Sequence, residues 1–182
     1  MKKNNIIAAS AVELAGQRVL FDANVWILVN GFYPEAAKRR ADAYSAAYKQ
    51  LLDADNTIIV NDYVIGEVFN RCCKMEYDVA KQADPSIPYF KKYRASDDFR
   101  STLESVRDTC LNIVSDCEFV PVGGGHYQIA DIVNACFDRC ADFSDRVLIA
   151  FCAVEQLYVM TDDFDYVNSG LKIITANNRM LT

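Results

Sequence analysis

The chain has 182 residues, 52% of them hydrophobic, long enough to bury most of its apolar surface in one core and short for two. Nineteen basic against 25 acidic side chains leave a formal charge of −6, which argues against broad electrostatic adhesion to nucleic acid or membrane and leaves room for a local basic patch or bound metal ions. The seven cysteines (Cys72, Cys73, Cys110, Cys117, Cys136, Cys140 and Cys152) lie mostly in apolar helical stripes and are odd in number, so they read as reduced thiols; the single histidine, His126, follows three glycines, which argues against a zinc site.

At the amino end, MKKNNIIAASAVELAGQ has an apolar segment too short and interrupted for a signal peptide or a membrane span, so a reducing cytoplasm is the expected address and no membrane partner is expected. Arg18 to Phe21 reads as a strand that delivers Asp22 at its end, and the next residues turn into a helix or a loop over the sheet edge. After Gly31 and Pro34, the spacing of Ala37, Ala41, Tyr44, Ala47, Tyr48 and Leu51 predicts a helix. TIIV is a second strand, and Asn61 or Asp62 caps a helix over 63–77 with Glu67 in an early turn, where its bland role is an i,i+4 pair with Arg71. The stretch 84–97 holds two prolines, and three aromatics among Lys91, Lys92 and Arg94, and reads as a loop.

From Phe99 the series Leu103, Val106, Cys110, Ile113 and Cys117 predicts a further helix, followed by a strand EFVPV. Gln128 to Cys140 reads as an amphipathic helix with Ile129, Ile132, Val133, Cys136 and Cys140 inward. Ser144 is the expected cap of a buried helix that carries Asp145 in its first turn. LYVMT then reads as a core strand ending in Asp162, Asp163, Phe164 and Asp165, and LKIITAN as a last strand. Short strands separated by helices imply an α/β class, a three-layer α/β/α sandwich around a central parallel sheet, with residues 1–182 as one domain. Right-handed crossovers would bring the strand ends bearing Asp22 and Asp163, and the helix bearing Glu67, to one edge, where open α/β sheets bind ligands.

Four carboxylates, Asp22, Glu67, Asp145 and Asp163, should therefore converge. Two like charges ~4 Å apart repel by roughly 4 kcal/mol at an effective dielectric near 20, so such a cluster needs protons or a divalent cation. An oxygen-only set suits Mg²⁺ or Mn²⁺, with Asn24 and Thr161 placed to hold the carboxylates by hydrogen bonds and Asp162 and Asp165 as spare acids.

VLFDANVWI, VNDYVIGEVFN, SDRVLIAFCA, LYVMTDDFDY and the tail LKIITANN, in that order, resemble the PIN-domain ribonucleases, which include the VapC-type toxins of toxin–antitoxin pairs. By that resemblance Asp22, Glu67, Asp145 and Asp163 match the family's metal-binding catalytic quartet, Asp165 a frequent fifth acid, and Asn24 the polar residue two positions after the first aspartate. The resemblance implies a Mg²⁺- or Mn²⁺-dependent endoribonuclease that cleaves single-stranded or looped RNA by in-line attack, leaving a 5′-phosphate and a 3′-hydroxyl. It also implies an antitoxin partner if the role is a toxin's, and homodimers are common in the family. Two departures stand out: Arg146 replaces the small residue that commonly follows the third aspartate, and the interval from Glu67 to Asp145 is long, taking in IPYFKKYR. There Lys91, Lys92 and Arg94, interleaved with aromatics, could contact phosphates and bases, or the aromatics could simply pack on the core. An alternative from another class is a catalytically silent PIN-like scaffold that binds RNA or protein. A haloacid dehalogenase-type phosphatase would want an acid where Asn24 stands, and the GGG at 123–125 lacks the Lys and Ser/Thr of a phosphate-binding P-loop.

Overall fold

Val19, Leu20 and Phe21, like Ile58, Ile59 and Val60, are buried on both faces, as interior strands of a parallel sheet require. The computed structural model describes residues 5–123, 125–138 and 142–182. Its strands are β1 (Ile6–Ala8), β2 (Arg18–Phe21), β3 (Thr57–Val60), β4 (Glu118–Phe119), β5 (Tyr158–Met160) and β6 (Lys172–Thr175). They form one sheet in the order β1-β6-β5-β2-β3-β4, with every pairing parallel. The helices are α1 (Ala23–Val29), α2 (Lys38–Asp53), α3 (Asp62–Ala83), α4 (Phe90–Arg94), α5 (Arg100–Asp116), α6 (Ile129–Ala135), α7 (Phe143–Val154) and α8 (Asn178–Leu181). The architecture is thus the expected α/β sandwich.

The strand order places the site. From β2 the chain builds outward through β3 to β4, then returns to lay β5 on the other side of β2. Neighbouring strands β2 and β5 therefore sit at a topological switch point, the place where open α/β sheets form a crevice beyond their carboxyl ends. Asp22 follows one strand and Asp163 the other, and the Asp22 N–H donates to the Met160 carbonyl at 3.0 Å, which ties the two exits together.

Several local expectations change. β1 pairs Ile6, Ile7 and Ala8 with Ile173, Ile174 and Thr175, so the amino-terminal segment supplies an edge strand. The stretch 84–97 contains α4, because its aromatics have a place to go: Phe90 meets Tyr77 of α3 at 5.3 Å between ring centroids, and Tyr93 meets Phe99 at 5.3 Å. α7 is capped by Asp142 instead of Ser144, since Asp142 and Asp145 bond each other's backbone N–H reciprocally as a capping box. α6 buries Ile132 while leaving Ile129 and Val133 more than half exposed, at 57% and 59%, so its inward face is narrower than the apolar spacing suggested. Cys140 lies outside the described residues. The described cysteines are free, and burial pushes the Cys72 thiol up to about 12, which keeps it protonated and inert. Among the described residues no helix is long and apolar enough to cross a membrane.

Candidate active site

Asp22 is the best-held carboxylate of the protein. It caps α1, and Oδ1 accepts from the Ala23 N–H at 2.6 Å while Oδ2 accepts from Asn24 Nδ2 at 2.5 Å and from Thr161 Oγ1 at 2.7 Å. Asn24 in turn accepts from the Asp162 N–H at 3.0 Å, and Thr161 Oγ1 from the Asp163 N–H at 3.0 Å. Asn24 and Thr161 thus brace the ends of β2 and β5 against each other, with the carboxylate between them. Only 4% of Asp22 is exposed. Burial pushes its carboxyl up to about 7, with the charges of Glu67 and Asp145 adding to the rise and the Thr161 and Ala23 bonds opposing it.

Asp145, Asp163 and Asp165 behave differently. Each offers an oxygen, and these atoms lie within 4.8 Å of one another. Asp145 is held by its capping box through Oδ2, and Asp163 by an Asx-type turn in which Oδ1 accepts from the Asp165 N–H at 2.9 Å. Asp145 and Asp163 each keep one oxygen without a hydrogen bond among the described residues, and Asp165 keeps both. Asp145 is pushed up to about 6, first by burial, then by the charge of Asp142, with smaller additions from Asp163 and Glu67. Three convergent oxygens with no nitrogen or sulfur donor fit a hard divalent cation, and they are short of a full coordination shell unless water, Asp22 or Glu67 contributes.

Not every acid at this edge is open. Glu67 pairs with Arg71 at 3.0 Å, so a cation does offset one member of the quartet. Asp162 is occupied by Arg40 and by the Tyr44 hydroxyl, the latter at 2.9 Å, so it anchors α2 to the end of β5 and does not join the open triad. Arg146 is half-buried on α7, and its Nε has no hydrogen-bond partner among the described residues.

No protein-family model and no curated relative matches the chain at the level of sequence. Solved structures do. VapBC2 from Rickettsia felis, determined bound to a DNA fragment from its promoter, aligns with a TM-score of 0.55 at 13% identity, covering 87% of this chain and 97% of that one. VapC20 from Mycobacterium tuberculosis, a sarcin–ricin loop cleaving toxin, aligns with a TM-score of 0.50 at 11% identity, covering 84% and 95%. The fold is the VapC-like PIN-domain fold.

On this PIN fold the basic residues singled out in the sequence fall away from the acids. Lys91, Lys92 and Arg94 sit on α4, which packs by the far half of α3 through Tyr77, ten residues or roughly 15 Å along the helix from Glu67. Arg94 lies over the Phe90 ring at 5.5 Å. The groove at the acidic edge, about 430 Å³, is walled instead by Arg71 and Arg179 beside Asp163, Asp165 and Phe164. The sequence also hid Tyr166. It is fully buried, yet its hydroxyl has no hydrogen-bond partner among the described residues and the negative charges of Asp22, Asp145 and Glu67 act on it. Burial and those charges keep the phenol protonated.

Proposed function

We propose that residues 1–182 form one PIN-like domain acting as a divalent-metal-dependent endoribonuclease that hydrolyses RNA phosphodiester bonds. The observation that carries this reading is that Asp145, Asp163 and Asp165 each bring a carboxylate oxygen within 4.8 Å of the others, at the switch point of the sheet. Mg²⁺ or Mn²⁺ held by Asp22, Glu67, Asp145 and Asp163, with Asp165 as a further ligand, would supply the charge that activates water and stabilises the developing negative charge at phosphorus. The protein's own part is positioning. Asn24 and Thr161 lock Asp22 in one orientation, the capping box and the Asx-type turn do the same for Asp145 and Asp163, and the Tyr166 hydroxyl, free of other partners among the described residues, would donate to a metal-bound water. Single-stranded or looped RNA suits an open groove of this size, since its unstacked backbone can enter between walls.

The similarity to VapBC2 supports a toxin's role with an antitoxin as partner, which would cover this edge; a cytoplasmic address and a homodimer belong to the same proposal. The deciding experiment is cleavage of an end-labelled mixed-sequence single-stranded RNA, and of a second pool rich in structured loops, with Mn²⁺, Mg²⁺ or EDTA. Metal-dependent cleavage is expected, lost by roughly a hundredfold or more in Asp163→Asn and in Asp22→Asn. Both pools surviving intact under every metal, while still bound, would make the protein a silent RNA-binding scaffold.

A further inference from the structure

Beside the acidic groove lies a second cavity, about 370 Å³, between the start of α2 and the short helix α8. Arg39, Arg40 and Arg179 line it together with Asn177 and Asn178, and no carboxylate does among the described residues. In a chain of net charge −6 this is an uncommon concentration of positive charge. The two cavities adjoin, since Asn177 and Arg179 wall both.

The arginines are not equivalent. Arg40 is neutralised by Asp162, whereas Arg39 is exposed and has no ion pair or hydrogen bond among the described residues. Arg179 stands at the junction, its guanidinium 5.0 Å from the centre of the Phe164 ring, and Phe164 itself is 41% exposed. Every cation on these walls is an arginine, the side chain whose planar fork matches phosphate oxygens and stacks on flat rings. An exposed ring on the wall of the acidic groove, under a guanidinium that also walls a carboxylate-free trough, matches the two parts of a single strand, bases and phosphates.

We propose that an RNA strand leaving the acidic centre passes over the Phe164–Arg179 pair and continues along this trough, with Arg39 and Arg179 contacting its phosphates. The track rests on the nuclease reading above for its direction, but it makes a binding claim that stands or falls separately. It also displaces the RNA-binding surface from the basic segment on α4.

The test is binding of a fluorescein-labelled, mixed-sequence single-stranded RNA of about twenty nucleotides, followed by anisotropy with Ca²⁺ in place of the catalytic metal, across a salt series. Arg39→Ala combined with Arg179→Ala should raise Kd by roughly tenfold and reduce the salt slope by about 0.7 for each phosphate that is no longer neutralised. Arg179→Lys with Arg39 intact should retain the slope, because the charge remains. Lys91→Ala combined with Lys92→Ala should bind like wild type. Wild-type affinity in the double arginine variant, loss of binding in the lysine variant instead, or no RNA binding by the wild type would each overturn the track, the first leaving the trough to a protein occupant. Hydrolysis of bis(p-nitrophenyl) phosphate by the wild type with Mn²⁺ needs only the acidic centre. Its absence alongside arginine-dependent RNA binding would overturn the nuclease reading and keep the track.

Discussion

The two ends of α3 carry the same kinds of residue and have opposite surroundings. Near its start, Glu67 and Arg71 form an i,i+4 pair at 3.0 Å beside a cluster of carboxylates; further along, Lys74 and Asp78 form another i,i+4 pair beside a cluster of rings. At the second end Lys74 lies 4.7 Å from the centre of the Tyr77 ring, and Tyr77, Phe90, Tyr93 and Phe99 make a chain of ring contacts that fastens α4 to α3 and α5. One end keeps like charges together; the other buries apolar surface. The first arrangement costs stability and the second contributes it. Residue type and spacing are therefore poor guides to role here, and the neighbours decide.

That contrast should be separable by mutation. The largest effect expected is Phe99→Ala at the ring cluster. Phe99 is 1% exposed, so its truncation should cost roughly 3–5 kcal/mol in urea unfolding, while the metal-dependent cleavage rate of the folded fraction stays near wild type. Loss of cleavage at full stability would collapse the distinction between the two ends.

The acidic end should show itself in pH. Asp22 is raised to about 7 and Asp145 to about 6, so between about pH 4 and 7 the folded protein keeps protons that the unfolded chain has released. Stability without metal should accordingly be greatest near pH 4 on this account, fall as pH rises toward 7, and flatten above it. The melting-temperature gain on adding Mn²⁺ should grow across the same window, because the ion relieves the repulsion that deprotonation creates. Asp145→Asn should shrink both effects. A metal gain independent of pH would show that these carboxylates do not hold the ion.

The smallest expected effect is at Tyr166. Tyr166→Phe removes a buried hydroxyl that has no partner among the described residues, so unfolding without metal should be unchanged or harder by about 1 kcal/mol, while the Mn²⁺ midpoint for cleavage rises by roughly tenfold. A midpoint that does not move would make the hydroxyl a packing residue and nothing more.

Much of the fold was legible because a parallel strand has a strong local signature. RVLF, TIIV and KIIT are short apolar runs, and each forms a strand. β1 was not legible, since Ile6–Ala8 lies in a segment rich in lysine and asparagine, and its partner Ile173–Thr175 is at the other end of the chain. α4 was missed for a related reason: prolines predict a loop, whereas the pull of Tyr77 and Phe99 on its rings is a long-range effect. At the site, Asp22 and Asp163 could be picked out as acids closing buried strands, and Asn24 and Thr161 as their holders. The Arg39–Arg179 trough could not, because it joins helices from opposite ends of the chain.

Sequence by itself determined the parallel α/β class, the edge at which the carboxylates gather and the residues placed to hold them, because strand patterning and the acid after a strand are local properties. Tertiary structure alone decided which acids are occupied and which are open. Asp162 is taken by Arg40 and Tyr44, Asp22 is locked by three donors, and Asp145, Asp163 and Asp165 bring carboxylate oxygens within 4.8 Å of one another. The reason is physical: whether a carboxylate can bind a cation depends on the donors that surround it, and most of those arrive from distant parts of the chain.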